Sequence, residues 1–230
     1  MAAQAIFSPI QPNQLLADEV ATRLRQAVIE GRLQPGEHLA ENSLAQQLGV
    51  SRSPVRDALR ILEREGLIVN LPNRGCYVRE FSPHDVDEIF SLRAAIESLA
   101  AEWAIQRLSQ ADLEELEGLL QVQSQAVAAG DILRLNQADI AFHEYICRRA
   151  GHSRVMEIWE GIRSQCLVLF NRRLHAYPDF VPQSVIVDHR AFLQAFAGRD
   201  LPRVVSLHRE VNQRVIREIK QMLAEAGPGG

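Results

Sequence analysis

The sequence predicts a mainly α-helical protein in two parts: a small unit of three helices and a β-hairpin, then an all-α antiparallel helical bundle. Apolar residues recur at helical spacing within residues 15–30, 44–48 and 55–62. Two β-rich runs flank a turn at residues 72–75. Beyond residue 82 only helical patterns occur, and we expect helices at about 83–107, 109–129, 131–149, 153–174, 183–198 and 200–225.

Length and composition bound the class of protein. The 230 residues suffice for two domains, and 47% hydrophobic with 23% charged residues is typical of a soluble globular protein. No apolar run approaches the ~20 residues of a membrane span, and the N-terminus lacks a secretory pattern, so we expect a cytoplasmic protein. Cys76, Cys147 and Cys166 are widely spaced and predict neither a disulfide framework nor a thiolate zinc site.

The segment from Gly49 to Glu63 predicts a helix with two different faces. One face is apolar and carries Val55, Ala58, Leu59 and Leu62. The other face is basic and carries Arg52, Arg56 and Arg60. Ser51 or Ser53 can cap the helix, and Pro54 fits its first turn. The short apolar helix upstream ends at Gly49, and this pairing is typical of a helix-turn-helix.

The helix after such a turn lies in the major groove of DNA, with its first residues near base edges. The alternative is an arginine face that only meets water, which is the preferred interpretation for an isolated arginine stripe. The following hairpin, with its turn at Pro72-Asn73-Arg74-Gly75, favours DNA because a hairpin directly after a helix-turn-helix is a wing. The net charge is −4, yet residues 51–79 hold six arginines against three acids.

These motifs resemble the GntR family of winged-helix transcription regulators over about residues 15–80. The matching segments are Ile29 to Glu37, Leu44 to Arg56, and Arg74-Gly75. The resemblance implies DNA contacts from two places, the recognition helix and the wing, through Ser51, Arg52, Ser53, Arg56, Arg74 and Gly75. One departure is Asn42, where some relatives carry an arginine that also reaches DNA.

Four titratable residues fall on apolar faces of three predicted bundle helices: Asp139, His143, His189 and His208. A buried carboxylate or imidazole is costly unless it is paired or bound to a metal. Two ligands one turn apart on one helix, completed by single ligands from two others, is how helical bundles assemble metal sites. One histidine on an apolar face is more often a hydrogen-bonded core residue, but four such groups favour a site for zinc, nickel, manganese or iron.

From about residue 81 to 222 the chain resembles the FadR-type branch of the family, whose helical effector-binding (FCD) domain also forms the dimer. The matching residues are Arg93 with Glu97, Asp139 with Phe142-His143, Asp188-His189 and Gly198-Arg199-Asp200. The resemblance implies a divalent metal ion, zinc in the first place, on Asp139, His143 and His189. The family's last histidine would fall at Val211. We expect His208, one turn earlier on the same face, to replace it; otherwise the pocket binds its effector without metal.

Arg93 lies in line with Ile89 and Ile96, so we expect its guanidinium to enter the bundle. There it can hold the carboxylate of an organic acid or pair with Glu97, and the sequence leaves both open. Trp103 and Trp159 are expected in the core.

We expect flexible ends at 1–14 and 226–230, a DNA-binding domain at 15–80, and an effector-binding and dimerisation domain at 81–225. The expected function is that of a homodimeric regulator, in the first place a repressor, on a palindromic double-stranded DNA operator. Its expected modulator is a small carboxylate, with no membrane partner and no catalysis. The alternatives are a metal-dependent enzyme in which the four bundle residues activate water, a regulator without metal, and a structural bundle with hydrogen-bonded histidines.

Overall fold

The structure is a computed structural model that describes residues 13–179 and 181–226. The expected flexible ends lie outside these residues except at Asn13, Gln14 and Ala226, which are helical. The chain divides between Arg79 and Glu80 into two compact units.

The first unit contains the three predicted helices and the predicted hairpin. These are α1 (Asn13–Ile29), α2 (Glu41–Leu48), α3 (Arg52–Arg64), β1 (Ile68–Leu71) and β2 (Gly75–Val78). The strands are antiparallel, with Ile68 opposite Val78 and Leu71 opposite Gly75. The helix α3 packs against α1 and α2, and β1 packs against α3. This is a winged helix-turn-helix.

The apolar face of α3 forms the core of this unit. Val55, Ala58 and Leu62 are fully buried. Burial of a valine or leucine side chain stabilises a fold by ~1.5–3 kcal/mol. The end of α3 is also tied to α1, because Arg25 donates from Nε and Nη2 to the two carboxylate oxygens of Glu65 at 2.7 and 2.6 Å. The basic face of α3 is thereby left toward solvent.

Gly49 and Gly75 of this unit have positive φ angles. Gly49 ends α2 in the left-handed conformation with φ 67°. Gly75, after the wing turn, has φ 93°, and a Cβ atom there would lie 2.8 Å from Nε2 of His38. The positive φ therefore favours glycine at residue 75, and a larger residue would also require the His38 ring to move. Ser51 is the N-cap residue of α3, but its side chain makes no capping hydrogen bond.

The second unit contains the six predicted helices. They are α4 (Pro83–Ala104), α5 (Gln110–Ala129), α6 (Ile132–Arg149), α7 (Ser153–Ala176), α8 (Val181–Ala197) and α9 (Leu201–Ala226). The helix α4 packs against α6, α7 and α9, while α5 packs against α6 and α8. The fully buried aromatic side chains of this core are Phe90, Phe142, Trp159 and Phe192. No helix in the described part of the chain combines the length and apolar character needed to cross a membrane.

Helix starts and stops follow the sequence with one exception, at the start of α7. Ser82 and Ser109, which the sequence offers as plausible caps of α4 and α5, form capping boxes. From the sequence, Ser153 is a plausible cap of α7, but it is the first residue of that helix, and the cap is His152, whose Nδ1 accepts the Val155 N–H. Gly198 directly follows the last residue of α8, and the left-handed residue after it is Arg199, with φ 52°. Trp103 is also not a core residue, since it is 44% exposed on α4.

Candidate functional site

The first candidate site is a groove beside α3 and the wing in the N-terminal unit. It measures about 490 Å³ and is lined by Arg52, Arg56 and Arg60 from α3 together with Asn70 and Gly75 from the wing. Ser51 and Ser53 are exposed at the start of α3, and Arg74 is exposed at the tip of the wing, outside the groove lining. The predicted DNA-contacting residues are therefore all accessible, and three of the six line the groove.

One acidic residue of this groove was missed by the sequence analysis. Glu41, the first residue of α2, accepts hydrogen bonds from Arg56 Nε at 3.1 Å and Arg56 Nη2 at 3.0 Å. It also accepts one from Arg52 Nη2 at 3.2 Å. The Arg56 hydrogen bond lowers the pKa of the Glu41 carboxyl, against a smaller opposing effect of burial, so the group is ionised near neutral pH. The charged face of α3 and the start of α2 thus form one hydrogen-bonded surface.

The second candidate site lies inside the helical bundle. Helix α6 contributes Asp139 and His143, α8 contributes His189, and α9 contributes His208. All four side chains are buried. They line one cavity of about 30 Å³ together with Arg93 of α4. The four residues singled out on apolar helix faces therefore meet in one place.

Hydrogen bonding fixes the orientation of the His189 ring. Nδ1 of His189 lies 2.8 Å from the carbonyl oxygen of Val185. Because a carbonyl only accepts, Nδ1 carries a proton, and Nε2 is the ring nitrogen left to face another group. That nitrogen lies 3.6 Å from Oδ1 of Asp139. Within residues 13–179 and 181–226, neither His189 Nε2 nor Asp139 Oδ2 finds a hydrogen-bond partner.

Among the residues that the structure describes, two overlapping groups of ligand atoms lie close enough to hold a metal ion, and His143 belongs to both. One group is Asp139, His143 and His189, and the other is Glu97, His143 and His208. Within each group the ligand atoms lie within 4.8 Å of one another. Of the four predicted ligands, Asp139, His143 and His189 fall in the first group, and His208 falls in the second, where its Nδ1 lies 3.0 Å from Glu97 Oε2.

Glu97 is the bundle residue whose full role was missed. The expected pair with Arg93 is present, with Nε donating to Oε1 at 2.7 Å. Nδ1 of His143 also lies 3.3 Å from Oε1, so one carboxylate faces an arginine and two histidines. Burial works against the charged form of Glu97, but Arg93 and His143 outweigh it and hold its pKa well below the ordinary value. No sequence signal pointed to these cross-helix contacts, because α6 and α9 are distant from α4 along the chain.

The Arg93 guanidinium lies between two carboxylates. Besides Glu97, its Nη2 atom lies 3.9 Å from Asp139 Oδ2. Its carbon Cζ lies 4.8 Å from the ring centroid of Phe170, a cation–π distance. Burial alone would lower the pKa of Arg93. The two carboxylates have the larger combined effect and raise this pKa, so the guanidinium stays charged. Burial also lowers the pKa of His143 to about 4, although Glu97 has an opposing effect. The His143 ring is therefore neutral near pH 7.

Both units match families of known proteins. The family "Bacterial regulatory proteins, gntR family" matches residues 16–78, and the FCD domain family matches residues 88–214. The chain belongs to the GntR family. Its second unit is an FCD domain, as the sequence predicted. Both matched families are those of transcription regulators rather than enzymes.

Curated relatives cover most of the chain. One is YdhC, an uncharacterized HTH-type transcriptional regulator of Bacillus subtilis (strain 168), 31% identical over 75% of this chain and 76% of that protein. Another is the gluconate operon transcriptional repressor of Bacillus licheniformis, 29% identical over 90% of this chain and 88% of that protein. A DNA-binding transcription regulator is the function that these matches support.

Solved structures agree with the fold of this GntR-family protein. McbR/YncC of Escherichia coli superposes with a TM-score of 0.74 at 28% identity, covering 90% of this chain and 98% of that one. A GntR regulator from Rhodococcus sp. RHA1 superposes with a TM-score of 0.76 at 24% identity, covering 88% and 96%, and so supports the fold alone.

Proposed function

We propose that this protein is a homodimeric repressor that binds a palindromic DNA operator through α3 and the wing and is controlled by a small carboxylate bound in the FCD domain. Repression is supported by relatives named as operon repressors. Two identical recognition helices would read half-sites about one helical turn apart, ~34 Å. A change in their separation would then release DNA.

The observation that carries the effector site is the convergence of unsatisfied polar atoms on a cavity in the bundle. Nε2 of His189 faces Asp139 Oδ1 at 3.6 Å, and neither His189 Nε2 nor Asp139 Oδ2 has a hydrogen-bond partner among the described residues, so a bound cation would satisfy both side chains. A divalent metal ion, zinc in the first place, would be held by Asp139, His143 and His189. It would supply an electrophilic contact for a carboxylate oxygen of the effector.

His208 takes a different part in this proposal than the sequence alone suggested. Its Nδ1 atom lies 3.0 Å from Glu97 Oε2, and it belongs to the second ligand group. We therefore propose that it lies at the wall of the cavity beside the metal position, with its ring facing Glu97. Asn212, one turn later, donates from its side chain to the His208 carbonyl at 2.8 Å and fixes the backbone there.

Charge and volume define what can enter the cavity. With a divalent ion on the Asp139 carboxylate, the charges of the ion, Arg93, Glu97 and Asp139 would sum to one positive charge, which a monocarboxylate would balance. At about 30 Å³ the cavity is far smaller than the ~300–1,000 Å³ of small-molecule pockets. Effector entry would therefore move α8 and α9 away from α6. Such a ligand-dependent difference between two arrangements, worth ~1–3 kcal/mol, is what allosteric control requires.

The test uses the full-length protein in three steps. Duplexes that bind are recovered from a random library, the metal content of the purified protein is measured by elemental analysis, and a panel of small monocarboxylates and dicarboxylates is screened for release of the recovered duplex. The proposal expects a palindromic sequence, one metal equivalent per chain, and release by a monocarboxylate that a chelator abolishes. Release that is unaffected by complete metal removal would favour the metal-free regulator.

A further inference from the structure

An acidic residue touches the two DNA-contacting arginines of α3, and nothing in the DNA-binding assignment uses it. Glu41 lies 11 residues before Arg52 and 15 before Arg56 in the chain. Its presence is unexpected on charge alone, because DNA affinity depends on arginines that neutralise phosphates, and a carboxylate beside them opposes that attraction. A specific role has to offset this loss.

The geometry leaves the base-reading edge of Arg56 free. Glu41 takes up the edge formed by Nε and Nη2, through hydrogen bonds of 3.1 and 3.0 Å. A guanidinium carries five N–H groups, so the edge formed by Nη1 and Nη2 can still donate two parallel hydrogen bonds. That is the arrangement by which arginine recognises O6 and N7 of guanine. The pair with Glu41 therefore fixes the plane of Arg56 without blocking it.

Arg52 is held from the same side. Its Nη2 donates to Glu41 Oε2 at 3.2 Å, so one carboxylate contacts both arginines. The Arg52 and Arg56 side chains are 59% and 49% exposed, whereas that of Glu41 is 27% exposed. The two guanidinium groups therefore lie closer to solvent than the Glu41 carboxylate that holds them.

We propose that Glu41 is a positioning residue that sets the sequence discrimination of this regulator. It holds the Arg52 and Arg56 guanidinium groups in the orientation that reads bases. It also lowers their attraction to the phosphates of non-cognate DNA. Both effects act in one direction, because the first favours the cognate duplex and the second disfavours every other duplex. The inference rests on operator recognition by α3, and it is independent of the metal and the effector.

The experiment compares Glu41→Gln with a matched control, Glu63→Gln. Glu63 lines the same groove from α3, so its substitution removes the same charge at the same surface. The probes are a duplex recovered by the wild type from a random library and a scrambled duplex of equal length. For Glu41→Gln we expect the affinity for the scrambled duplex to rise and the ratio of cognate to scrambled affinity to fall about tenfold. For Glu63→Gln both affinities should rise by the same factor, with an unchanged ratio.

A second variant separates geometry from charge. Glu41→Asp keeps the charge but shortens the side chain, so we expect weak binding to scrambled DNA together with a loss of cognate affinity. In Glu41→Gln the salt dependence on scrambled DNA should steepen by up to about one unit in the log–log slope, which a purely structural role would not change. Thermal unfolding of each variant checks that α2 and α3 stay folded.

Two results would overturn the role of Glu41. The first is a ratio of cognate to scrambled affinity in Glu41→Gln that equals that of the wild type. The second is a fall of this ratio in Glu63→Gln that is as large as in Glu41→Gln. If the wild type recovered no duplex from the library, the proposed operator recognition would be wrong, and the proposed role of Glu41 would be wrong as well. Equal ratios in a wild type that does discriminate would count against Glu41 alone.

Discussion

The Nδ1 atom of His189 lies 2.8 Å from the carbonyl oxygen of Val185, one turn earlier on α8. This contact commits the proton to Nδ1 and turns Nε2 toward Asp139, 3.6 Å away. A backbone carbonyl that fixes the ring in this way is a common partner of metal-binding histidines, because it sets both the tautomer and the orientation. His208 has no equivalent arrangement toward Asp139, since its Nδ1 atom faces Glu97 instead.

Substitution of His189 therefore has a larger expected effect on metal than substitution of His208. In His189→Ala, metal affinity should fall by at least about 100-fold, since loss of a ligand exceeds the effect of losing a ligand's hydrogen-bond partner. His208→Ala should retain most of the metal while its response to carboxylates is weakened. Elemental analysis after dialysis against a weak chelator measures both.

The control for this pair is His84→Ala. His84 is exposed on α4 and lies 3.3 Å from Glu88, far from any buried ligand group. Its metal content should equal that of the wild type. Equal metal retention in His189→Ala and the wild type would remove His189 from the site, and greater loss in His208→Ala than in His189→Ala would reverse the assignment.

Arg52→Ala should weaken binding to the recovered operator about 10- to 100-fold, because a well-placed arginine discriminates bases by ~1–3 kcal/mol. Its side chain is 59% exposed and forms no part of the core, so the melting temperature should stay unchanged. Fluorescence anisotropy with labelled duplex measures the affinity. Arg23→Ala, at an exposed arginine of α1, provides the control and should leave operator binding nearly unchanged. Equal losses in the two variants would mean that the arginines act only through general charge.

The N-terminal fold was predictable because its decisive signals are local. The spacing of Val55, Ala58 and Leu62 defines a buried helix face within a few turns, and all three are fully buried. The role of His152 as the cap of α7 was not predictable in the same way, since histidine rarely accepts a capping N–H. Trp103 was misplaced because periodicity identifies the apolar side of α4 but not how far its neighbours extend over it.

The candidate sites were predictable only in part, for the same physical reason. Asp139, His143, His189 and His208 each stood out as a polar residue within an apolar stripe, and they do meet at one cavity. Their partners carry no such signal. Glu97 is one turn from Arg93, which suggested a local pair and concealed contacts made across helices. Glu41 reaches its arginines only because the turn folds α2 against α3.

Leu62→Ala should destabilise the N-terminal unit by ~2–5 kcal/mol, the usual range when a buried leucine is truncated and leaves a cavity. Leu62 is fully buried on α3. Hydrogen exchange of peptides from residues 52–64 measures the local loss without relying on the other unit. Leu16→Ala, at a leucine of α1 that is 41% exposed, should change exchange little. Equal protection in Leu62→Ala and the wild type would contradict the assigned core.

Asp112 links two helices of the bundle through its carboxylate. Oδ2 accepts the backbone N–H of Ser109 at 2.8 Å, and Oδ1 accepts the Tyr145 hydroxyl of α6 at 2.7 Å. The Nε atom of Arg149 lies 2.9 Å from Oδ1. The Ser109 hydrogen bond, followed by that of Tyr145, holds the pKa of Asp112 far below its ordinary value of 3.8. Burial and the Asp112 hydrogen bond raise the pKa of Tyr145 to about 12, so its hydroxyl stays a donor.

Asp112→Asn should therefore destabilise the bundle in a pH-dependent way. The folded carboxyl has a lower pKa than the unfolded one, so its contribution is fully present above pH 3.8 and is lost as the pH falls toward the folded value. At pH 7 we expect a loss of ~1–3 kcal/mol for the broken hydrogen bonds to a charged acceptor, and a smaller difference from the wild type at pH 3. Urea unfolding followed by fluorescence of the buried Trp159 measures both values. Glu115→Gln, an exposed acid on α5, should stay within about 0.5 kcal/mol at either pH. An Asp112→Asn difference of equal size at pH 7 and pH 3 would show that the ionised carboxylate does not hold α5 against α6.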